Sequence, residues 1–232
     1  MDDPRQRLIV ALDVSTAAAA RKIVAAVGDS AHSYKVGMQL YTAAGPVIVR
    51  ELVDAGHRVF LDLKYHDIPN TVAAAVREAA QLGVSMLTVH ASGGGKMLQA
   101  AVDAAHATEP DLLVLAVTVL TSLDDAELGK IGVRGGVQDQ VLRLAALALS
   151  HGCQGVVASA QEAAALREEL GRHFAIVTPG VRPAGSGHDD QMRVVTPAEA
   201  ISAGASHIVV GRPITAASDP GAEARAILAQ IG

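Results

Sequence analysis

The sequence is poor in aromatic residues, which together make up 2% of the chain, and it has no tryptophan. Proteins that hold single-stranded nucleic acid stack the bases on aromatic side chains, so this scarcity argues against such a binder. Basic residues are not in excess either, because the formal net charge is −5 at pH 7. A basic stripe is the usual electrostatic signature of a nucleic-acid or membrane partner. We therefore expect neither partner, and any anionic substrate must be held by a few local groups.

Cysteine and long apolar runs are also scarce. The one cysteine, Cys153, excludes an intramolecular disulfide, which fits a reducing compartment. We interpret Cys153 as a small buried residue before a strand rather than as a catalytic thiol. The first apolar run ends at Asp13, and no run approaches the ~18 apolar residues of a transmembrane helix. These features predict a cytoplasmic protein with neither a signal peptide nor a membrane span.

Short apolar strands alternate with Ala-rich helical segments along the whole chain. Several of these segments end in glycine, as a helix C-terminus often does, at Gly28, Gly83, Gly152 and Gly171. Such alternation predicts parallel βαβ units. The predicted strands span residues 8–14, 33–38, 58–64, 86–91, 112–118, 155–159, 174–180 and 207–211.

Eight such units predict an α/β fold, a single (β/α)8 TIM barrel, and residues 1–232 suffice for one such catalytic domain. An open doubly wound sheet is the alternative. The count of eight strands and the lack of G-x-G-x-x-G after the first strand weigh against that sheet. The stretch SGGGK at 92–96 lacks the spacing of a P-loop, so we interpret it as a loop that opens a helix.

The segment FLDLKYHDIPNT, which starts at Phe60, puts charged residues where a buried strand is expected. Because side chains alternate along a strand, Phe60, Asp62 and Lys64 point into the barrel. Asp13 at the end of the first strand and Lys35 in the second add two more charges. Active sites of these barrels lie at the carboxyl ends of the strands, so the group predicts an active site. A structural ion-pair network at the barrel mouth is the alternative interpretation.

Lys64 is the candidate proton donor of this group. A lysine between two carboxylates keeps its proton, since opposite charges nearby favour the charged form. Such a lysine is a poor nucleophile but can deliver a proton to a developing carbanion. We interpret His66, in the same segment, as a loop residue. The histidines show no metal-binding spacing, so no metal site is predicted.

The last third of the chain has the features of a phosphate site. The predicted seventh and eighth strands end near Gly180 and Gly211, and the loops after these strands often bind phosphate in (β/α)8 enzymes. Arg182 and Arg212 can each offer a planar charged fork to phosphate oxygens. The small residues of 183–192 predict a lid over this site.

Seven segments, in order along nearly the whole chain, resemble the orotidine 5′-monophosphate decarboxylase family: ALDV, KVGMQLYTAAGP, FLDLKYHDIPNT, VHASGGGKM, VTVLTS, VTPGVRP and VVGRPIT. The run D-L-K-x-H-D-I-P-N-T is the most specific of these. The resemblance implies a cofactor-free decarboxylation of orotidine 5′-monophosphate (OMP) to UMP and CO2, the last step of de novo pyrimidine (UMP) biosynthesis. It also implies a homodimer.

The resemblance further implies roles for individual residues. Lys35, Asp62, Lys64 and Asp67 would form the family's array of alternating charges. Lys64 would protonate C6 of the pyrimidine after CO2 leaves, and Asp62 would face the substrate carboxylate. Asp67, with Ile68 and Thr71, would reach into the partner subunit's site. The implied substrate-binding residues are Asp13, Lys35, Ile68, Thr71, Thr121, Ser122, Pro179, Arg182, Gln191, Gly211 and Arg212.

Within that set, the resemblance assigns each group of residues to one part of OMP. Asp13 and Lys35 would hold the ribose hydroxyls, with Thr71 of the partner subunit. Ser122, with Thr121 beside it, would contact the pyrimidine edge. The phosphate would be bound by Gln191, Arg182, Arg212 and the backbone of Gly211.

Two other functions stay open. Mg-dependent sugar-phosphate decarboxylases and aldolases of the same broader group share a D-x-K-x-x-D run. They place a metal-binding carboxylate on the second strand, where this chain has Lys35, and a cation there would repel Mg²⁺. The other possibility is a non-catalytic barrel that binds a nucleotide or phosphometabolite and serves as a scaffold.

Overall fold

A computed structural model, which describes residues 3–183 and 195–232, shows one closed barrel of parallel strands. Neighbours along the chain pair in order, and the eighth strand closes on the first. The predicted (β/α)8 TIM barrel is thereby confirmed, whereas one domain over 1–232 stays a prediction. The strands are β1 Leu8–Ala11, β2 Ser33–Gly37, β3 Arg58–Tyr65, β4 Met86–His90, β5 Leu113–Val117, β6 Gly155–Val157, β7 Ala175–Thr178 and β8 His207–Val210.

The first strand is shorter than predicted at its carboxyl end. β1 stops at Ala11, so the prediction that Asp13 ends this strand is wrong, and Asp13 lies in the following loop. Leu12 is nevertheless fully buried, and its N–H donates to the Lys35 carbonyl at 2.9 Å. An apolar run therefore extends beyond the paired residues, because burial continues into the layer between barrel and helices.

Helices connect the strands and cover the barrel. The Ala-rich segments between the strands are helical, and the four glycines predicted to follow helices have positive φ angles. No helix within the described ranges has the length and apolar character that crossing a bilayer requires, and the cytoplasmic location stays a prediction. The helices are α1 Ala17–Val27, α2 Met38–Ala44, α3 Pro46–Asp54, α4 Pro69–Gln81, α5 Gly95–Thr108, α6 Asp125–Lys130, α7 Val137–Ser150, α8 Ala160–Leu170, α9 Pro197–Ser202, α10 Arg212–Thr215 and α11 Pro220–Ile231.

The apolar core has two layers. A small inner cluster fills the barrel and includes Phe60, Met86 and Val209. A larger outer cluster packs the helices against the sheet and includes Leu61, the neighbour of Phe60. Alternation along β3 therefore sends successive side chains to opposite layers, as predicted. Cys153 is buried in the outer cluster, as predicted, and this burial raises the pKa of its thiol to about 12.

His207, the first residue of β8, is a half-buried base at the amino end of the barrel. Its Nδ1 atom has no hydrogen-bond partner within the described residues. Desolvation, with the charges of Arg58 and Arg7, lowers the pKa of His207 to about 4. An unfolded chain binds this proton below pH ~6.5, whereas the folded chain resists it until about pH 4. Folding stability is therefore lost as the pH falls from the first value towards the second.

We expect His207→Gln to make the fold less sensitive to acid. Between pH 7.5 and pH 5 the histidine should cost the wild type about 2 kcal/mol of unfolding free energy, a loss that the variant lacks. Urea unfolding at the two pH values measures this difference. His173→Gln, at an exposed position, is the matched control and should keep the wild-type dependence. An unchanged pH dependence in His207→Gln would show that His207 is not the responsible group.

Candidate active site

A cavity of about 520 Å³ opens at the carboxyl ends of the strands. Its apolar floor includes Ala11, Phe60 and Val209, which belong to the inner core. Charged side chains from β2, from β3 and from the segments that follow β1, β7 and β8 surround this floor. The cavity therefore lies at the end of the barrel where the sequence predicted a site.

Four charged side chains of alternating sign meet beside β1, β2 and β3. Lys35 Nζ lies 2.8 Å from Asp13 Oδ1 and 3.7 Å from Asp62 Oδ2. Lys64 Nζ donates to both carboxylate oxygens of Asp62, each at 2.8 Å. The side chains of Lys35 and Asp62 are 11% and 13% exposed. So little water reaches these two charges that each depends on its charged neighbours for stabilisation.

Gly37 at the end of β2 leaves the space in which Asp13 and Lys35 meet. A Cβ atom on this residue would lie 2.8 Å from Lys35 Nζ and 2.9 Å from Asp13 Oδ1. Any side chain would therefore displace the ion pair. Gly37 was not among the sequence-predicted site residues. The signal that could have found it is its place two residues after Lys35, on the same face of β2.

The backbone at Lys64 is strained. Its φ of 54° is the only positive value for a non-glycine residue in the described ranges. The pairing of β3 with β4 shifts register between Leu61 and Tyr65, and Lys64 lies within that irregularity. Such conformations cost about 1–3 kcal/mol and persist only where the surroundings enforce them, as they do at active sites. The bend thus marks Lys64 as a residue whose direction is set by its neighbours.

Thr88 and His90 of β4 extend the polar group, although neither was predicted from the sequence. Thr88 Oγ1 accepts the Lys64 N–H at 2.9 Å and donates to Asp62 Oδ1 at 3.0 Å. Burial and the neighbouring His66 lower the pKa of His90, whose ring centroid lies 5.3 Å from that of His66. Both effects favour the neutral form of His90. The available signal was the polar pair Thr88 and His90, two positions apart on one face of the segment MLTVHA.

Two arginines give the cavity a positive region. Arg182 lines it from the loop after β7 and Arg212 from the start of α10, together with Pro179 and Gly211. Arg182 is 7% exposed, whereas Arg212 lies at the surface. Gly180 has φ 75°, a value that favours glycine, and it lets the chain turn between Pro179 and the buried Arg182. The cavity can therefore receive an anion beside its apolar floor.

The arrangement suits an anionic substrate that needs a proton. Lys64 is a cavity-lining ammonium group, and Asp62 both orients it and adds negative charge next to it. The described residues contain no group of three or more His, Cys, Asp or Glu side chains that could hold a metal ion. A lysine hydrogen-bonded to a carboxylate beside the cavity can transfer a proton and stabilise negative charge.

Comparison with known proteins shows the family to which this chain belongs. The sequence profile of the orotidine 5′-phosphate decarboxylase / HUMPS family matches residues 6–227. The chain belongs to this family. Its match to the orotidine 5′-phosphate decarboxylase of Moorella thermoacetica is 54% identical over 233 residues, which is 98% of this chain and 92% of that protein. With the enzyme of the same name from Halorhodospira halophila the identity is 55% over 225 residues, 97% and 95% of the two chains.

A solved structure agrees with these matches. The crystal structure of orotidine 5′-phosphate decarboxylase from Lactobacillus acidophilus superposes with a TM-score of 0.88 at 42% identity, over 97% of this chain and 98% of the other. The family resemblance carried by the seven sequence segments is thus confirmed.

Not all residues that the family resemblance implicates lie in the cavity of this chain. Thr121 lines it, whereas Ser122 is exposed and is not part of the lining. Asp67, Ile68 and Thr71 are likewise exposed and outside the lining, and the Ile68 N–H donates to Asp67 Oδ1 at 2.6 Å. A single chain therefore brings together Lys35, Asp62 and Lys64, three of the four residues of the predicted charged array. The contribution of Asp67 stays a prediction.

Two predictions concern the loop after β7. Gln191, predicted to bind phosphate, lies outside the described residues. So does nearly all of the predicted lid at 183–192, of which only Pro183 is described. Both stay predictions.

Proposed function

We propose that this chain is a carboxy-lyase that converts OMP to UMP and CO2, the last step of de novo pyrimidine biosynthesis. The observation that carries the proposal is the run of alternating charges from Asp13 to Lys64 at the carboxyl end of the barrel. It occurs in a chain whose relatives at 54% and 55% identity are named orotidine 5′-phosphate decarboxylases.

The proposed reaction passes through a carbanion at C6. The bond from C6 to the carboxylate breaks, its electron pair stays on C6, and CO2 leaves. Lys64 Nζ then donates a proton to C6 to give UMP, and solvent restores the proton on the lysine. The bend at Lys64 and its two 2.8 Å hydrogen bonds to Asp62 support this role, since a general acid must be held in position.

Repulsion between Asp62 and the substrate carboxylate is too small to drive the reaction by itself. Two such charges ~4 Å apart repel by about 4 kcal/mol at an effective dielectric constant of 20, which is worth roughly a thousandfold in rate. Asp62 also pairs with Lys64 and lies 3.7 Å from Lys35, so part of its charge is compensated. The larger contribution is therefore assigned to stabilisation of the carbanion by the Lys64 ammonium group.

Other cavity residues are proposed to hold the rest of OMP. Asp13 and Lys35 would bind the ribose hydroxyls, and the Thr121–Ser122 turn would contact the pyrimidine. Arg182 and Arg212 would take the phosphate, with Gln191 and the backbone of Gly211. Except for Ser122 and Gln191, these residues line the same cavity. Binding at the phosphate would position C6 against Lys64 and supply binding energy remote from the reacting atoms.

The active site is proposed to be completed in a homodimer, where Asp67, Ile68 and Thr71 of each subunit enter the site of the other. Ile68 is 66% exposed in the single chain, a large value for an apolar side chain. Met38, which follows the neighbouring strand β2, is 57% exposed. A second subunit over this surface would remove both apolar side chains from water, which favours association.

The decarboxylation is proposed to proceed without a metal ion. Lys35 Nζ lies 2.8 Å from one carboxylate and 3.7 Å from the next, between the two acids that a divalent cation would need. Its positive charge would repel such a cation at this point. This feature favours decarboxylation of OMP over the Mg-dependent chemistry of sugar phosphates.

A direct assay tests the proposed function. In EDTA, the purified protein should rapidly remove the ultraviolet absorbance band of OMP, and the nucleoside orotidine should react at least about 10²-fold less efficiently. Two charged hydrogen bonds to phosphate at about 1.5–3 kcal/mol each account for that difference. An inactive wild type would contradict the proposal and lead to assays of sugar phosphates with Mg²⁺. Equal efficiency with orotidine would contradict the assigned phosphate site alone.

A further inference from the structure

We propose that Thr88 is a positioning residue for the decarboxylation, because its hydroxyl holds the Lys64 backbone and the Asp62 carboxylate in one fixed arrangement. This inference rests on the proposed function and deepens it. It adds to the site a residue of β4 that does not line the cavity.

The hydrogen bonds of Thr88 have only one consistent direction. The Lys64 N–H can only donate, so Thr88 Oγ1 accepts this bond at 2.9 Å. An ionised Asp62 carboxylate can only accept, so the hydroxyl proton of Thr88 goes to Asp62 Oδ1 at 3.0 Å. Asp62 in turn accepts from Lys64 Nζ at 2.8 Å. The three residues form a closed ring that ties the backbone of Lys64 to its own side-chain ammonium group.

This ring explains how the strained backbone at Lys64 is kept. The residue lies where β3 and β4 lose their regular register, and its φ is 54°. The Thr88 hydroxyl supplies an acceptor for the Lys64 N–H within this irregular part of the ladder. Without that acceptor, the strained backbone conformation, which costs about 1–3 kcal/mol, loses a hydrogen bond that stabilises it. Relaxation to an ordinary extended conformation would turn the side chain of Lys64 away from its present direction.

Thr88 acts through other residues rather than on the substrate. Its side chain is fully buried and faces the barrel interior two residues after Met86, and it is not part of the cavity lining. A residue in that place affects substrate binding little but affects the alignment of the proton donor and its carboxylate. Its loss should therefore appear in kcat rather than in KM.

The test compares Thr88→Val, which keeps the branched shape but removes the hydroxyl, with Thr88→Ser, which restores it. With OMP as substrate, Thr88→Val should lower kcat by about 10- to 100-fold, the effect of losing a hydrogen bond to a charged group, and should change KM less than about threefold. Thr88→Ser should keep kcat within about threefold of the wild type.

The matched control is Thr178→Val on β7. Thr178 is also fully buried on a barrel strand, but its hydroxyl has no hydrogen-bond partner in the described part of the chain. The control should keep wild-type kcat and KM. Thermal unfolding of all four proteins separates a loss of alignment from a loss of stability.

Each outcome of this comparison is decisive. An active wild type with an unchanged kcat in Thr88→Val overturns the inference alone. Equal losses of kcat in the valine and serine variants, in proportion to lost thermal stability, also overturn it, because packing would then be the cause. A wild type that leaves OMP intact overturns the proposed function and this inference with it.

Discussion

Replacing Lys64 by alanine should lower kcat for OMP decarboxylation by at least about 10⁴-fold. The variant loses the proton donor, which is worth about 10²–10⁴ in rate, and also the ammonium charge that stabilises the carbanion, worth about 10²–10³. It leaves Asp62 with Lys35 as its nearest cation, at 3.7 Å. Steady-state kinetics followed by the absorbance of OMP measures the effect directly.

Two further variants make the Lys64 result specific. Lys22→Ala removes an exposed lysine from α1 and should leave kcat unchanged. Lys64→Arg keeps a positive charge, but a guanidinium group does not release its proton, so it should recover little of the lost activity. A Lys64→Ala variant that folds normally and stays within tenfold of the wild type would rule out the proposed mechanism. It would also revive the interpretation of the barrel as a non-catalytic scaffold.

Two variants that are each inactive, Asp67→Asn and Lys64→Ala, should form an active mixed dimer. Asp67→Asn is expected to lose at least about 10²-fold in kcat, because the partner's site loses a carboxylate beside its charged array. When Asp67→Asn and Lys64→Ala are co-expressed with different tags, half of the dimers combine one subunit of each kind. One site of such a mixed dimer has both wild-type residues, so total activity should rise to about a quarter of the wild-type value.

The control for this experiment pairs Lys64→Ala with Asp62→Asn. Both residues belong to the site of their own subunit and lie 2.8 Å apart, so no mixed dimer contains an intact site and activity should stay low. If the Asp67→Asn mixture also stays at the sum of its separate activities, the shared site is wrong. A protein that sedimented as a monomer with full activity would contradict it as well.

Most of the architecture could be read from local pattern. All eight strands and the Ala-rich helices between them occur where the apolar runs and periodicities predicted them, because alternation and helical periodicity are properties of neighbouring residues. The predicted strands differ from the observed strands at their ends. β1 stops at Ala11 because the paired register with β2 ends at Ala11 and Lys35, whereas burial, which the apolar pattern reports, continues to Leu12.

The sequence predicted those site residues that are charged and lie at or just after the end of a strand. Asp62 and Lys64 were found because inward-facing charges interrupt an apolar strand, and Arg182 and Arg212 because they follow the last two strands. Thr88 was missed because a threonine in a strand is ordinary, and its importance depends on what it meets on β3. Gly37 was missed because its role is the space it leaves for two other side chains.

The sequence by itself determined the barrel, the end of it that carries the site, and the family, since each follows from local periodicity or from contiguous motifs. Only the tertiary structure decided that Lys35 lies between Asp13 and Asp62 and that Lys64 adopts a positive φ. It also decided that Thr88 is hydrogen-bonded to both Asp62 and Lys64. These relations join residues 2 to 27 positions apart, most of them on different elements that meet only when the strands pair. Their distances depend on strand register and on a local shift in that register, which no single strand encodes.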